Sequence, residues 1–212
     1  MIYAENIMIC IAIPLVITIL FIRGSAGRFV KSFLTGMVIC LLAAYISGYI
    51  ESVSGLNTED TAIFISPIIE EIMKFLPILF FMLMFNTDGK DLVLMGVGVG
   101  AGFATFENCC YILSSGADNL IYILIRGMAV GVMHIVSIFA LTLALVLLKK
   151  LQVYSYAGMV GALSLSVTFH SLYNLLVSKP GITSYIGYIL PLFAALILSA
   201  LVKKEIFDQI GE

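Results

Sequence analysis

Apolar residues run along this chain in blocks of about twenty, separated by short polar stretches. Neither the alternation of a half-buried strand nor the narrow stripe of a surface helix persists for long. Seven blocks stand out, at 6–22, 32–50, 62–85, 92–114, 120–148, 153–177 and 184–202. As a helix, each is long enough to cover most or all of a hydrocarbon core about 30 Å thick. A helix also satisfies its own backbone hydrogen bonds in lipid. The pattern predicts an all-α fold, a polytopic transmembrane helix bundle of about seven spans. The connectors are short and no repeat is visible, so residues 1–212 read as a single integral membrane domain.

Composition sharpens this. Of 212 residues, 61% are hydrophobic and 11% charged, against about 25% charged in a soluble domain. A soluble enzyme is excluded. With a net charge of −2 there is no basic surface for nucleic acid, and the surrounding partner is the lipid bilayer. Cys10, Cys40, Cys109 and Cys110 all fall in apolar blocks and read as small packing residues. Arg23, Arg28, Lys31, Lys90, Lys149, Lys150, Lys203 and Lys204 fall in alternate connectors and the C-terminal tail, whereas the opposite side has only Lys179. The bias predicts a multi-pass cell-membrane protein with its N-terminus outside and its C-terminus cytoplasmic. Residues 1–22 read as a retained first span rather than a signal peptide. Positive charge follows the apolar run instead of preceding it.

Against that background the ionisable residues inside the blocks carry information, because they are costly in a bilayer. They are Glu70, Glu71, Lys74, Glu107, Arg126, His134 and His170, accompanied by Asn108 and Asn174. Counting from the connectors marked as cytoplasmic, Glu70 and Glu107 lie about 24 Å up, His134 about 22 Å and His170 about 27 Å. Four spans thus bring polar groups to one layer near the outer surface. Ser66-Pro67 reads as a helix start, with serine at the N-cap and proline in the first turn. Glu70 and Glu71 then sit near the positive end of a helix dipole. Lys74 lies at i+4 from Glu70 and i+3 from Glu71, within reach of either. Adjacent helical positions diverge by about 100°, so one glutamate can face a site while the other is held. Gly96 with Gly100, and Gly98 with Gly102, form small-xxx-small faces for close packing beneath Glu107.

Glutamates and histidines around a wettable pocket suit activation of water, with a carboxylate taking its proton and polar neighbours steadying an oxyanion. Every aspartate lies in a connector or tail, and no serine sits in a nucleophile motif. Aspartyl and serine intramembrane proteolysis are therefore disfavoured. A His-Glu-x-x-His zinc motif is absent, although Glu107, His134 and His170 from separate helices offer zinc N/O donors. No cofactor is required by the sequence, and zinc is allowed by it. Intramembrane Glu, Lys and His would also suit a proton- or ion-coupled transporter, and a non-catalytic membrane sensor is the third class.

Four patterns in order carry a resemblance: Glu70-Glu71-x-x-Lys74, Phe103-Ala104-x-x-Glu107-Asn108, Arg126 followed by His134, and His170-x-x-x-Asn174. Together they resemble the PrsW family of intramembrane proteases, over roughly half the chain. The resemblance implies a hydrolase that cuts a single-span membrane protein on its extracytoplasmic side. The implied event is site-1 cleavage of an anti-sigma factor in regulated intramembrane proteolysis, a stress response. It also implies kinship with the CAAX prenyl endopeptidase and bacteriocin-processing superfamily. The implied catalytic set is Glu70, Glu71, Glu107, His134 and His170, with Lys74, Asn108, Arg126 and Asn174 supporting. Within it Glu70 is the general base, and His170 with Asn174 the oxyanion side. Glu107 departs from the wider superfamily, which usually has a histidine there.

Overall fold

Gly102 packs so closely on the Phe33 carbonyl that a Cβ there would collide with backbone, and this contact sits at the heart of the bundle. The coordinates are a computed structural model that describes residues 4–19, 23–85, 87–115, 119–151 and 156–201. The side chain of Cys10 and residues Asp118, Gln152, Lys203, Lys204 and Asp208 lie outside that description. Among the described residues every regular element is helical. The order is α1 (Ala4–Ile19), α2 (Gly24–Ser54), α3 (Thr58–Asp60), a π-helical turn (Thr61–Ile65), α4 (Ser66–Met84) and α5 (Gly89–Ser115). There follow α6 (Leu120–Ile125), a second π-helical turn (Arg126–Gly131), α7 (Val132–Lys150), α8 (Tyr156–Val177) and α9 (Ile182–Leu201). Each π-helical turn joins its flanking helices into one rod, so the elements make seven rods, one for each predicted block.

Five rods are long and apolar enough to cross a membrane: Gly24–Ser54, Gly89–Ser114, Leu120–Lys150, Tyr156–Val177 and Ile182–Ala200. The described part of α1 has 16 residues, and the rod containing α4 carries Glu70, Glu71 and Lys74 in its middle. The protein is a multi-pass membrane helix bundle.

Two boundaries differ from the sequence reading. Helix α2 starts at Gly24 rather than at 32 and runs through Arg28 and Lys31, ending where Gly55 adopts φ 71°. Arginine, lysine and serine tolerate a helix well, and the left-handed glycine is the real stop. The predicted helix start at Ser66 is also corrected. The rod begins instead after Asn57, whose side-chain oxygen accepts from the Asp60 amide at 2.8 Å. Pro67 follows a π-helical turn, where the regular ladder is already broken and its missing N–H costs little. Glu70 and Glu71 therefore sit in the middle of a rod, away from a helix dipole's positive end.

The glycine faces work as the spacing predicted. Gly98 and Gly102 admit Phe29, Ser32 and Phe33 of α2, while Gly96 and Gly100 admit Thr142, Ile138 and the His134 backbone of α7. Gly36 of α2 answers against Val99 and Phe103. Helix α5 is thereby clamped between α2 and α7 over a core that includes Met37, Ile78, Phe103, Ile138, Leu141 and Leu145. This clamp presents Glu107 to α7 at a fixed height. Cys40 is buried, Cys109 and Cys110 are half-buried, and all three are free thiols.

Candidate active site

Lys74 is the least expected side chain in the bundle: a lysine with no solvent exposure. It donates to Glu71 Oε1 at 2.6 Å and to His134 Nδ1 at 3.1 Å, and lies 4.7 Å over the Phe103 ring. A buried charge survives only when paired and hydrogen-bonded. Glu71, equally buried, supplies the pairing and is itself saturated. Its Oε1 accepts from Lys74 and from His170 Nδ1 (2.8 Å), and its Oε2 from Ser137 (2.5 Å) and Ser166 (2.8 Å). The two serine hydroxyls lie 2.7 Å apart. Four donors from three helices meet at this one carboxylate.

For neutral imidazoles, the hydrogen bonds set both histidine tautomers. A carboxylate can only accept, so His170 carries its proton on Nδ1 and leaves a bare lone pair on Nε2. An ammonium can only donate, so His134 accepts at Nδ1 and carries its proton on Nε2. That Nε2 sits 2.5 Å from Glu107 Oε2. Glu107 Oε1 lies 3.4 Å from Arg126 Nη2, and the Arg126 guanidinium stacks 4.0 Å over the Tyr111 ring. The two imidazoles meet edge to face at 5.0 Å.

Glu70 is built differently. Its Oε2 is buried and has no hydrogen-bond partner, and it lies 3.8 Å from His170 Nε2. Both residues line a cleft of ≈ 280 Å³, together with Glu107, Arg126, His134 and Tyr173. The ring nitrogens and carboxylate oxygen of Glu70, His134 and His170 include one ligand atom each within 4.8 Å of one another.

The structure thus brings Glu70, Glu71, Lys74, Glu107, Arg126, His134 and His170 into one cluster. The two asparagines stand apart from it. Asn174 donates to the Ala62 carbonyl (2.8 Å) in the first π-helical turn, and Asn108 donates to the Arg126 carbonyl (3.3 Å) in the second. Sequence reasoning missed Ser137, Ser166, Tyr111 and Tyr173. Helical spacing held a signal for three of them. Ser137 is three residues after His134, Ser166 four before His170 and Tyr173 three after it, each on its histidine's face.

No curated protein and no solved structure matches the chain. A family model does, described as PrsW family intramembrane metalloprotease and covering residues 25–200, which span all the cluster residues. The chain belongs to the PrsW family and is an intramembrane peptidase.

Proposed function

We propose that the chain hydrolyses a single-span membrane protein at the extracytoplasmic end of its span, with Glu70 as the general base. The observation that carries this reading is the pair of acceptors at Glu70 Oε2 and His170 Nε2, 3.8 Å apart, in two residues that line the cleft. A water between them donates one proton to each. Glu70 takes a proton as the water oxygen attacks the scissile carbonyl carbon, then returns it to the amide nitrogen as the C–N bond breaks. Glu71, Lys74, Ser137 and Ser166 act by orientation: Glu71 holds His170 in the tautomer that bares Nε2.

The family description raises a metal ion, and the residues fit one. Glu70 Oε2 is an orphaned buried oxygen, and His170 offers Nε2 while Glu71 holds its other nitrogen, the usual outer partner of a ligating histidine. Three carboxylates, of Glu70, Glu71 and Glu107, face only two fixed cations, Lys74 and Arg126. His134 completes the set of three donors; to ligate through Nε2 it would carry its one ring proton on Nδ1 instead. A zinc-like ion there would polarise the attacking water and the carbonyl.

An outer-surface cut by a chain with its N-terminus outside accords with the connector charges and with cheaper unwinding of a substrate helix at the rim than at the midplane. Membership of the PrsW family supports an anti-sigma factor as the substrate. The test is reconstitution in liposomes with a single-span anti-sigma factor, comparing wild type with Glu70→Gln and identifying the products by mass spectrometry. Wild type cuts at or just outside the extracytoplasmic end, and Glu70→Gln does not cut. A cut at the middle of the span, or an active Glu70→Gln, refutes the reading. Loss of activity on chelation, restored by zinc, separates the metal-assisted form from water activation by Glu70 alone.

A further inference from the structure

Peptide hydrolysis at this cleft needs a hydrogen-bond donor for the carbonyl oxygen as it becomes an oxyanion. Of the two residues that the family pattern offers for the task, His170 is held by Glu71, and Asn174, which lines the cleft, has one of its two amide protons bonded to backbone. His170 turns a lone pair, not an N–H, toward the cleft, because its one ring proton is spent on Glu71. Asn174 is half-buried and directs its amide to the Ala62 carbonyl. A donor with no bond of its own is the neighbour between them. Tyr173 is 2% exposed, and its hydroxyl is buried with no hydrogen-bond partner. Buried tyrosine hydroxyls ordinarily find a partner, and leaving one unsatisfied costs stability. Tyr173 also lines the cleft that holds Glu70 and His170.

Local geometry agrees. Tyr173 is three residues beyond His170 on α8, so the two share a face. Helical side chains lean toward the helix N-terminus, which carries the hydroxyl back toward the His170 level. The ring is wedged among Ala129, Val130 and Met133, at the end of the second π-helical turn and the start of α7. Its orientation is fixed by packing, so the hydroxyl is held in place before substrate arrives.

We propose that Tyr173 is a catalytic residue whose hydroxyl donates to the scissile carbonyl oxygen. This rests on the reading of Glu70 as the base. As the water oxygen bonds to the carbonyl carbon, the C=O π electrons move onto oxygen, and the Tyr173 O–H hydrogen-bonds to that charge without giving up its proton. The bond is made to substrate and strengthens in the transition state, so its removal lowers kcat more than it raises KM.

The experiment uses the full chain in liposomes with a panel of synthetic single-span peptides that differ in their extracytoplasmic flanks. The member cut by wild type is then given to Tyr173→Phe and Glu70→Gln. Deleting one oxyanion donor lowers kcat by about 10²–10³-fold. The expectation is such a loss for Tyr173→Phe, with KM nearly unchanged and a melting temperature equal to or above wild type. A kcat loss below tenfold overturns the proposal. So does joint loss of fold and cleavage, because the hydroxyl would then be a structural bond. An inactive Glu70→Gln beside a fully active Tyr173→Phe refutes this proposal alone. An active Glu70→Gln, or a wild type that cuts no member, removes the reading beneath it.

Discussion

Glu70 and Glu71 are adjacent in the chain, yet one faces a cleft with an unpartnered oxygen while the other is enclosed by four donors. Around Glu71 the four donors come from three helices: Lys74 on its own helix, Ser137 on α7, and Ser166 and His170 on α8. Among the residues lining the cleft with Glu70, several polar atoms lack a hydrogen bond: its own Oε2, the Tyr173 hydroxyl, and Nε of Arg126, whose Nη2 is ion-paired with Glu107. A buried polar atom without a partner is costly. One such atom could be an accident of packing. Several bordering a single cleft mark the place where a substrate and a water complete the bonding. On the proposed reading, the saturated half holds the geometry and the unsaturated half does the chemistry.

The largest expected effect breaks the saturated half. Lys74→Met leaves Glu71 buried without its cation and His134 Nδ1 without its donor. Removing one partner of a buried ion pair costs about 3–5 kcal/mol. Thermal unfolding in detergent should show a large fall in melting temperature for Lys74→Met, and no fall for Glu70→Gln, whose lost oxygen had no hydrogen bond to lose. Equal destabilisation by the two variants would erase the contrast between the halves.

The same contrast explains what could be read in the sequence and what could not. The seven helices and the shared layer of Glu70, Glu107, His134 and His170 were legible because lipid imposes block length and penalises charge. The two faces of α5 were legible because glycines four apart have one obvious use. Ser66-Pro67 misled, since the dipeptide is the same whether it opens a helix or follows a π-helical turn. The choice was made by Asn57, upstream, through an amide bond that sequence spacing does not rank. Ser137 and Ser166 share a face with the histidines but were passed over for another reason: in an apolar helix a serine often bonds its own backbone. Only the meeting of α4, α7 and α8 shows these two aimed at Glu71. Asn174 lines the cleft, as its spacing from His170 suggests, but spacing gives a shared face and not the partner, which is a carbonyl on another rod.

A smaller effect sharpens the saturated half. Ser137→Ala and Ser166→Ala each remove one donor to an ionic acceptor, where a hydrogen bond is worth about 1.5–3 kcal/mol. They share Glu71 Oε2 and touch each other. A double-mutant cycle on unfolding should therefore show coupling of about 0.5 kcal/mol or more. Strict additivity would mean that the two hydroxyls do not act on one oxygen.

The smallest effects belong to the rim of the cleft. Asn174 and Asn108 each tie down a carbonyl of a π-helical turn, at 2.8 and 3.3 Å. A wide turn displaces its carbonyls from the regular ladder, so these bonds occupy acceptors the helix leaves loose. Neither asparagine bonds to Glu70, Glu71 or a histidine in this arrangement. Each acts at one remove, Asn174 on the rod that carries Glu70 and Asn108 on the rod that carries His134. A neutral hydrogen bond at a half-buried site contributes about 0.5–1.5 kcal/mol. Asn174→Ala should lie toward the upper end of that range and Asn108→Ala, with the longer bond, toward the lower. In both, kcat should fall by no more than about tenfold. The comparison with Tyr173→Phe decides the roles, because the two kinds of residue are set apart by what they touch. A hydroxyl that meets substrate lowers kcat without lowering stability; an amide that meets backbone lowers both in step. If Asn174→Ala kept its melting temperature and lost activity as deeply as Tyr173→Phe, its amide would have to leave Ala62 and reach the oxyanion during turnover. The rim would then belong to the chemistry rather than to its support.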